Sequence, residues 1–300
     1  MKKRKLKAVR KGTQRAFYVA AIVLVLVFLI NSIATSLFFK RPDRINMVVY
    51  GEKTALYSWG KTDNINYFTY MYPDLKILVP GGYGYYRIGA LGKLVSLEKK
   101  PDLFIKGFSA ATSTFVNFYF FPKGSAIYYG HEKEPFVFLP SFNQLWFSAS
   151  NSTLLDRLYL WSNFFLAKKT DFINLESYPV KSQQQDTLLD EETLGKRYQG
   201  FFYHKSYRTE KRTVQIIYTN SYESALTVSR IVEGTGIRVV DISKHDNQPG
   251  ACIVHEGGEK FSSTAKDLSR FFHCKLKKSK TRVSDIILEL GNQESAWVGK

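Results

Sequence analysis

One stretch of the chain is apolar without interruption. Residues 16–39 read AFYVAAIVLVLVFLINSIATSLFF and contain no charged side chain. A helix rises about 1.5 Å per residue and needs roughly 20 residues to cross the hydrocarbon of a bilayer, so this segment is expected to be a transmembrane helix. Beyond it the pattern changes to short apolar runs broken by turns: INMVVYG, INYFTYMY and LKILVPGG read as strands, and IGALGKLVSL reads as the start of a helix. Tyr72-Pro73-Asp74 separates two of these runs and predicts a turn, because proline fixes its backbone angle and aspartate bonds its own main chain. FIKGFSAATSTFVNFYFFP predicts a helix leading into a strand. In TLLDRLYLWSNFFLAKK the apolar positions recur at helical spacing, which turns Leu154, Leu155, Leu158, Leu160 and Trp161 toward a core.

Between residues 181 and 211 the apolar runs give way to KSQQQDTLLDEETLGKRYQG, which reads as a polar linker between two domains, 45–180 and 212–293. The second begins with the strand-like Val214-Gln215-Ile216-Ile217-Tyr218. It continues through a helical ESALTVSRIVEGTG, whose Gly234-Thr235-Gly236 is a stop signal, into Ile237-Arg238-Val239-Val240. Cys252-Ile253-Val254 is a further strand, Ser262-Ser263-Thr264 offers an N-cap for AKDLSRFFHCK, and Asp285-Ile286-Ile287-Leu288-Glu289-Leu290 closes the unit. The expected fold class is mixed α/β (α+β): one N-terminal transmembrane helix, then two mixed-sheet domains, the last running β-α-β-β-α-β.

Charge sets the expected topology. The net charge is +17, but residues 1–44 hold 11 Lys/Arg against one Asp, leaving 32 basic against 25 acidic residues in the remainder. The basic tail 1–15 ahead of the span predicts a cytoplasmic N-terminus, with the bulk of the chain outside a cell membrane it crosses once. A cleaved signal peptide ending at Ser32-Ile33-Ala34 is the rival reading. The remainder shows no basic stripe of the kind that meets nucleic-acid phosphates, and 15 tail residues are too few for a DNA-binding fold, so no nucleic-acid partner is expected. Cys252 and Cys274 are the two cysteines. In an exported chain they are free to pair; otherwise they are two buried thiols.

Asn220 at a strand end, the helix after it, Gly236, Val239, Val240 and the closing Asp285-Ile286-Ile287-Leu288-Glu289-Leu290-Gly291 together resemble the LytR C-terminal domain of bacterial cell-envelope proteins. The departure is Glu223-Ser224-Ala225 where that family favours Gly-Leu-Ala. Upstream, 45–180 resembles a degenerate LytR-CpsA-Psr domain. In that family a Ser-Asp pair and a strand ending Pro-Arg-Asp handle a polyprenyl diphosphate with a divalent metal. Thr62-Asp63 is similar to the first pair, but Leu78-Val79-Pro80 is followed by Gly81 and Gly82 instead of Arg and Asp. Phosphoryl transfer needs positive charge on the diphosphate and carboxylate on Mg²⁺, which glycine does not supply. The resemblance therefore implies a cell-envelope protein that binds peptidoglycan, lipid-linked glycopolymer or envelope partner proteins without cofactor. The alternative is an Mg²⁺-dependent phosphotransferase using Asp63 and a relocated Arg87, with Arg157 similar to an arginine of the family's later cluster.

The candidate ligand surface is the run Gly81, Gly82, Tyr83, Gly84, Tyr85, Tyr86 and Arg87. Glycine amides are able to cradle phosphate oxygens and tyrosines stack on sugars, although a plain strand-to-helix turn accounts for the same pattern. Asp63 reads first as a turn carboxylate and Asp74 as a turn residue. The five histidines show no metal-ligand spacing, so no metal site is expected, and Ser109 lacks the closing glycine of a nucleophile elbow.

Overall fold

A computed structural model of the chain describes residues 19–20, 23, 27, 30, 33–34, 36–124, 126–131, 136–175, 179–183, 186–245 and 250–299. The basic tail lies outside these residues, and so does most of the expected membrane span at 16–39. Among the described residues no helix is long and apolar enough to cross a membrane. Val19, Val23, Val27 and Ile30 are helical and exposed.

The first elements are α1 (Leu37–Lys40), β1 (Arg44–Val49), β2 (Thr54–Gly60), β3 (Asn66–Met71), β4 (Lys76–Val79), β5 (Gly84–Arg87), α2 (Ile88–Glu98), α3 (Asp102–Thr112) and β6 (Phe118–Phe121). There follow α4 (Phe142–Trp146), β7 (Ala149–Ser150), α5 (Leu154–Leu166), β8 (Phe172–Asn174), β9 (Val180–Gln183), β10 (Asp186–Leu189), α6 (Glu191–Arg197) and α7 (Lys205–Glu210). The chain ends with β11 (Thr213–Tyr218), α8 (Tyr222–Gly234), β12 (Arg238–Lys244), β13 (Ile253–Glu256), α9 (Ser263–Phe271), β14 (Lys275–Lys278), β15 (Ile286–Glu289) and a 3-10 segment, Gly291–Trp297.

The chain divides into two units. One comprises residues 1–42 and 152–166. In it Asp156, at the start of α5, accepts the Leu37 amide at 2.8 Å and the Thr153 hydroxyl at 2.8 Å, and Phe38 meets Tyr159 edge-on. Helix α5 exists where the spacing places it, yet Leu154 is 72% exposed and Leu158 39%, while Asp156, Arg157, Leu160 and Phe164 are buried. The inward face is thus rotated from the expected one, because the Leu37 amide and the Thr153 cap fix Asp156 inside.

In the other unit, residues 43–151 and 167–300, the described residues form three mixed sheets with strand orders β7-β6-β1-β2-β3-β8, β5-β4-β10-β9 and β12-β11-β15-β13-β14. One core gathers Val48, Leu56, Met71, Leu75, Ile77, Val79, Leu91, Phe104 and Phe108. A second gathers Val214, Ile216, Val228, Ile231, Val254, Leu268, Ile286, Leu288 and Trp297. Each such side chain contributes roughly 1.5–3 kcal/mol on burial. In the five-stranded sheet α8 and α9 cover the face carrying Val214, Ile216, Val254, Ile286 and Leu288. The opposite face is half-exposed, which gives the strands their alternation.

Local chemistry sets these boundaries. The Ser221 hydroxyl caps α8 by accepting the Ser224 amide at 3.2 Å, and the Ser262 hydroxyl caps α9 through the Ala265 amide at 3.0 Å. Gly234 has no room for a Cβ, which would collide with the Ser113 carbonyl, and Gly236 sits at φ +101°. The Gly-Thr-Gly stop therefore serves both a close approach and a left-handed turn.

Two expectations are corrected. Residues 181–211 are no bare linker: β9, β10, α6 and α7 occupy them, and Leu189, Leu194 and Phe202 enter the first core. The closing unit runs β-α-β-β-α-β-β, with Lys275–Lys278 as an additional strand parallel to β13.

Candidate functional site

The glycine-rich run is a hairpin. Strands β4 and β5 pair antiparallel from Lys76↔Arg87 to Val79↔Gly84, and helix α2 begins only after Arg87. Gly81, Gly82 and Gly84 have φ of +91°, +84° and +71°, a conformation that a side chain resists. The turn does present two amides side by side, as a phosphate cradle would. Both donate to one oxygen, the Val298 carbonyl, at 2.9 Å from Gly81 and 3.2 Å from Gly82. The C-terminal segment of the chain is the ligand of this turn.

The tyrosines are tied down around it. The Tyr83 hydroxyl donates to Glu98 at 2.8 Å and Lys100 lies over its ring. Tyr85, 45% exposed, points its hydroxyl at Glu191 at 3.4 Å. Tyr86 pairs opposite Ile77 and packs against the first core. Glu191, the first residue of α6, was not singled out in the sequence because it sits in a polar run. Its carboxyl is buried and accepts the Leu78 amide at 3.0 Å, taking the place of a strand partner where β10 meets β4 only at Leu188↔Lys76. Burial pushes the Glu191 carboxyl up, against the amide bonds and the Arg230 charge that pull it down. Burial, with the Glu191 charge next, likewise raises the Tyr85 hydroxyl.

Each charged residue expected for catalysis has a different partner. Asp63 closes its own turn by accepting the Ile65 amide at 3.0 Å, and its other oxygen pairs with Arg44 at 2.6 Å. Arg44 is buried and also reaches Ser58 at 2.9 Å and the Tyr203 carbonyl at 3.3 Å. Arg87 pairs with Asp74 at 3.0 Å and lies 4.3 Å over the Tyr129 ring. Asp74 is more than the turn residue expected: its second oxygen takes the Gly130 amide at 2.9 Å and His131 at 3.2 Å. Asp63 lies between β2 and β3 of the six-stranded sheet, and Arg87 ends β5 of the four-stranded one. Among the described residues no group of three or more His, Cys, Asp or Glu is placed to hold a metal ion.

The positions that carry the C-terminal resemblance have structural work. Asp285 accepts the Thr213 amide and hydroxyl, both at 2.8 Å, joining the start of β15 to the start of β11. Those bonds, against burial and together with Arg212, hold its carboxyl below the usual range. At Gly291, φ is +49° and a Cβ would run into the Gly250 carbonyl. Asn220 lies in a turn whose amides converge on one buried carboxylate: Glu294 accepts from Thr219 at 2.9 Å, from Asn220 at 2.7 Å and from Ser221. Cys252 and Cys274 are joined in a disulfide.

The half-exposed sheet face holds one polar cluster that the sequence spacing concealed. The Ser279 hydroxyl is 3.0 Å from His255 Nδ1, the opposite ring nitrogen is 3.4 Å from Glu289, and His245 is 3.9 Å from the other oxygen of Glu289. These residues come from four segments, the end of β12, β13, the end of β14 and β15, and the sheet pairing brings them together.

No family model matches the chain, and no curated protein matches it. Among solved structures, B. subtilis TagT is 11% identical at a TM-score of 0.29, covering 52% of this chain and 88% of that one. A protein from Eubacterium siraeum described as a transcription regulator is 10% identical at 0.31, covering 51% and 88%. A transcriptional regulator from Enterococcus faecalis is 9% identical at 0.32, covering 66% and 88%. Overlaps of this size carry no argument about function.

Proposed function

We propose that the chain is a cell-envelope protein, anchored once in the membrane by residues 16–39, which works by binding wall polymer, lipid-linked glycan or envelope partner proteins rather than by catalysis. The observation that carries this reading is the glycine turn. Where the resembled family needs Arg and Asp, Gly81 and Gly82 stand and their amides are bonded to Val298. Arg87, the substitute charge that the resemblance suggested, is neutralised by Asp74, and Asp63 by Arg44. A diphosphate would have to displace an internal partner from each group, which costs the full desolvation of the group left behind. The disulfide supports placement outside the cytoplasm, since such bonds persist in oxidising compartments.

The test is binding and turnover of a polyprenyl-diphosphate analogue by the full chain in detergent, with and without Mg²⁺, in wild type and Arg87→Ala. Binding without turnover supports the reading. Mg²⁺-dependent turnover that is lost in Arg87→Ala overturns it in favour of a phosphotransferase. Neither binding nor turnover restricts the reading to protein partners.

A further inference from the structure

The folded part of the chain does have a basic stripe, contrary to the sequence reading, and it lies on a sheet edge. Residues 257–283 hold 8 Lys/Arg against 2 acidic residues, most of the excess left after the N-terminal 44. Lys260, Lys275, Lys277, Lys278, Lys280 and Arg282 are all exposed. Five of these six, all but Lys260, lie within 275–282, from the start of β14 onward, and β14 is the last strand in the order β12-β11-β15-β13-β14. Its outer side meets no other strand among the described residues.

Register fixes what each position presents. Lys275 and Lys277 lie beside Ile253 and His255 on the half-exposed face, and Leu276 and Lys278 lie beside Val254 and Glu256 on the helix-covered side. The Lys275 amide donates inward to the Cys252 carbonyl at 3.0 Å and the Ser279 amide to the Glu256 carbonyl at 3.2 Å. Strand alternation then directs the amides and carbonyls of Leu276 and Lys278 outward, along the free edge. Side-chain cations thus stand on both faces of a strand whose outer backbone is in ladder geometry. Lys278 also donates to the Glu259 carbonyl.

We infer that β14 is a docking edge for an extended acidic peptide, which adds as a sixth strand and places Asp or Glu at alternate positions beside Lys275 and Lys277. The two cations are about 6.6 Å apart along the strand, which is the repeat of same-face side chains on any strand laid beside it. A polyanion without an amide backbone would use the charges and leave the ladder groups unmatched, which is why a peptide fits this edge better. Lysines on an edge repel a second copy of the same strand, and an acidic strand removes that repulsion, so the charges select the partner. This inference rests on β14 alone and holds whether or not the chain is a cell-envelope protein.

The test uses the full chain and a synthetic peptide of alternating Glu and Val, followed by fluorescence anisotropy at physiological salt and by hydrogen exchange of the Leu276 and Lys278 amides. The expected result is binding that weakens at least about tenfold with Lys275→Glu plus Lys277→Glu, a similar loss when the peptide's alternate amides are N-methylated, and slowed exchange at both amides. Lys275→Gln plus Lys277→Gln, at exposed positions, keeps the fold and gives an intermediate loss; thermal unfolding of each variant checks that. Equal affinity for the N-methylated peptide or for inorganic polyphosphate would overturn the inference in favour of a general anion surface. So would the absence of binding to wild type.

Discussion

Two turns in this chain gather backbone amides around a single acceptor, and the acceptors differ. At Gly81-Gly82 it is the neutral carbonyl of Val298; at Thr219-Asn220-Ser221 it is the charged carboxylate of Glu294. Both acceptors come from the last ten residues described. The second turn opens α8, so its amides carry the partial positive charge of a helix N-terminus, and a full anion is the natural match. The glycine hairpin leads from strand to strand and has no helix dipole behind it, so a carbonyl satisfies it. An amide cradle in a sequence therefore indicates an acceptor without saying where that acceptor comes from; here the chain supplies its own.

The strongest way to break the comparison is to displace the segment that serves both turns. Gly291→Ala forces a Cβ into the Gly250 carbonyl at φ +49°, and a loss of about 4 kcal/mol in urea unfolding is expected, with both turns released together. Glu294→Ala isolates the charged turn: a carboxylate only 3% exposed is lost and three amides are left without their acceptor, at about 3 kcal/mol. Glu294→Gln keeps an acceptor without the charge and should recover about half of that loss. Gly81→Ala tests the neutral turn, where the nearest atom to a new Cβ is Tyr83 at 3.5 Å; only the backbone angle resists, so about 1 kcal/mol is expected.

The smallest effect belongs to Glu191→Gln, beside the neutral turn. Burial raises the Glu191 carboxyl in the folded state, so its favourable contribution is complete below the unfolded value, near about 4.3, and is lost as pH rises through the folded value. The variant should lie within about 1 kcal/mol of wild type at pH 7. Its stability should vary less with pH above about 4 than that of wild type, which urea unfolding across pH measures.

Most elements were legible because apolar periodicity decides them. The helix opening at Ile88, helix α5 and the strand–helix alternation after Val214 all stand where the pattern puts them. What escaped was set by long-range partners. The inward face of α5 is chosen by Asp156 and the Leu37 amide, 119 positions apart, which no local period encodes. The run KLKK gives no strand signal, since an edge strand with exposed lysines buries almost nothing; its parallel register with β13 makes it a strand. The linker 181–211 was read from its polar residues, while its few apolar ones, Leu189, Leu194 and Phe202, entered the core. At the candidate site the glycines were identified, but Glu191, Glu294 and Val298 were not, because the first two read as ordinary charges and the third acts through its main chain.

The disulfide has a mechanical consequence. Cys252 and Cys274 immediately precede β13 and β14, whose pairing starts at Ile253↔Lys275, so the bond fastens two parallel strands at the same end and encloses α9 between them. Under tension or attack by a protease, β14 is able to peel only from its Lys278 end, and the covalent stop prevents the opening from running through. Reduction would convert this one-ended hinge into a strand that detaches from both ends, at a cost to the closed 22-residue loop of about 3 kcal/mol.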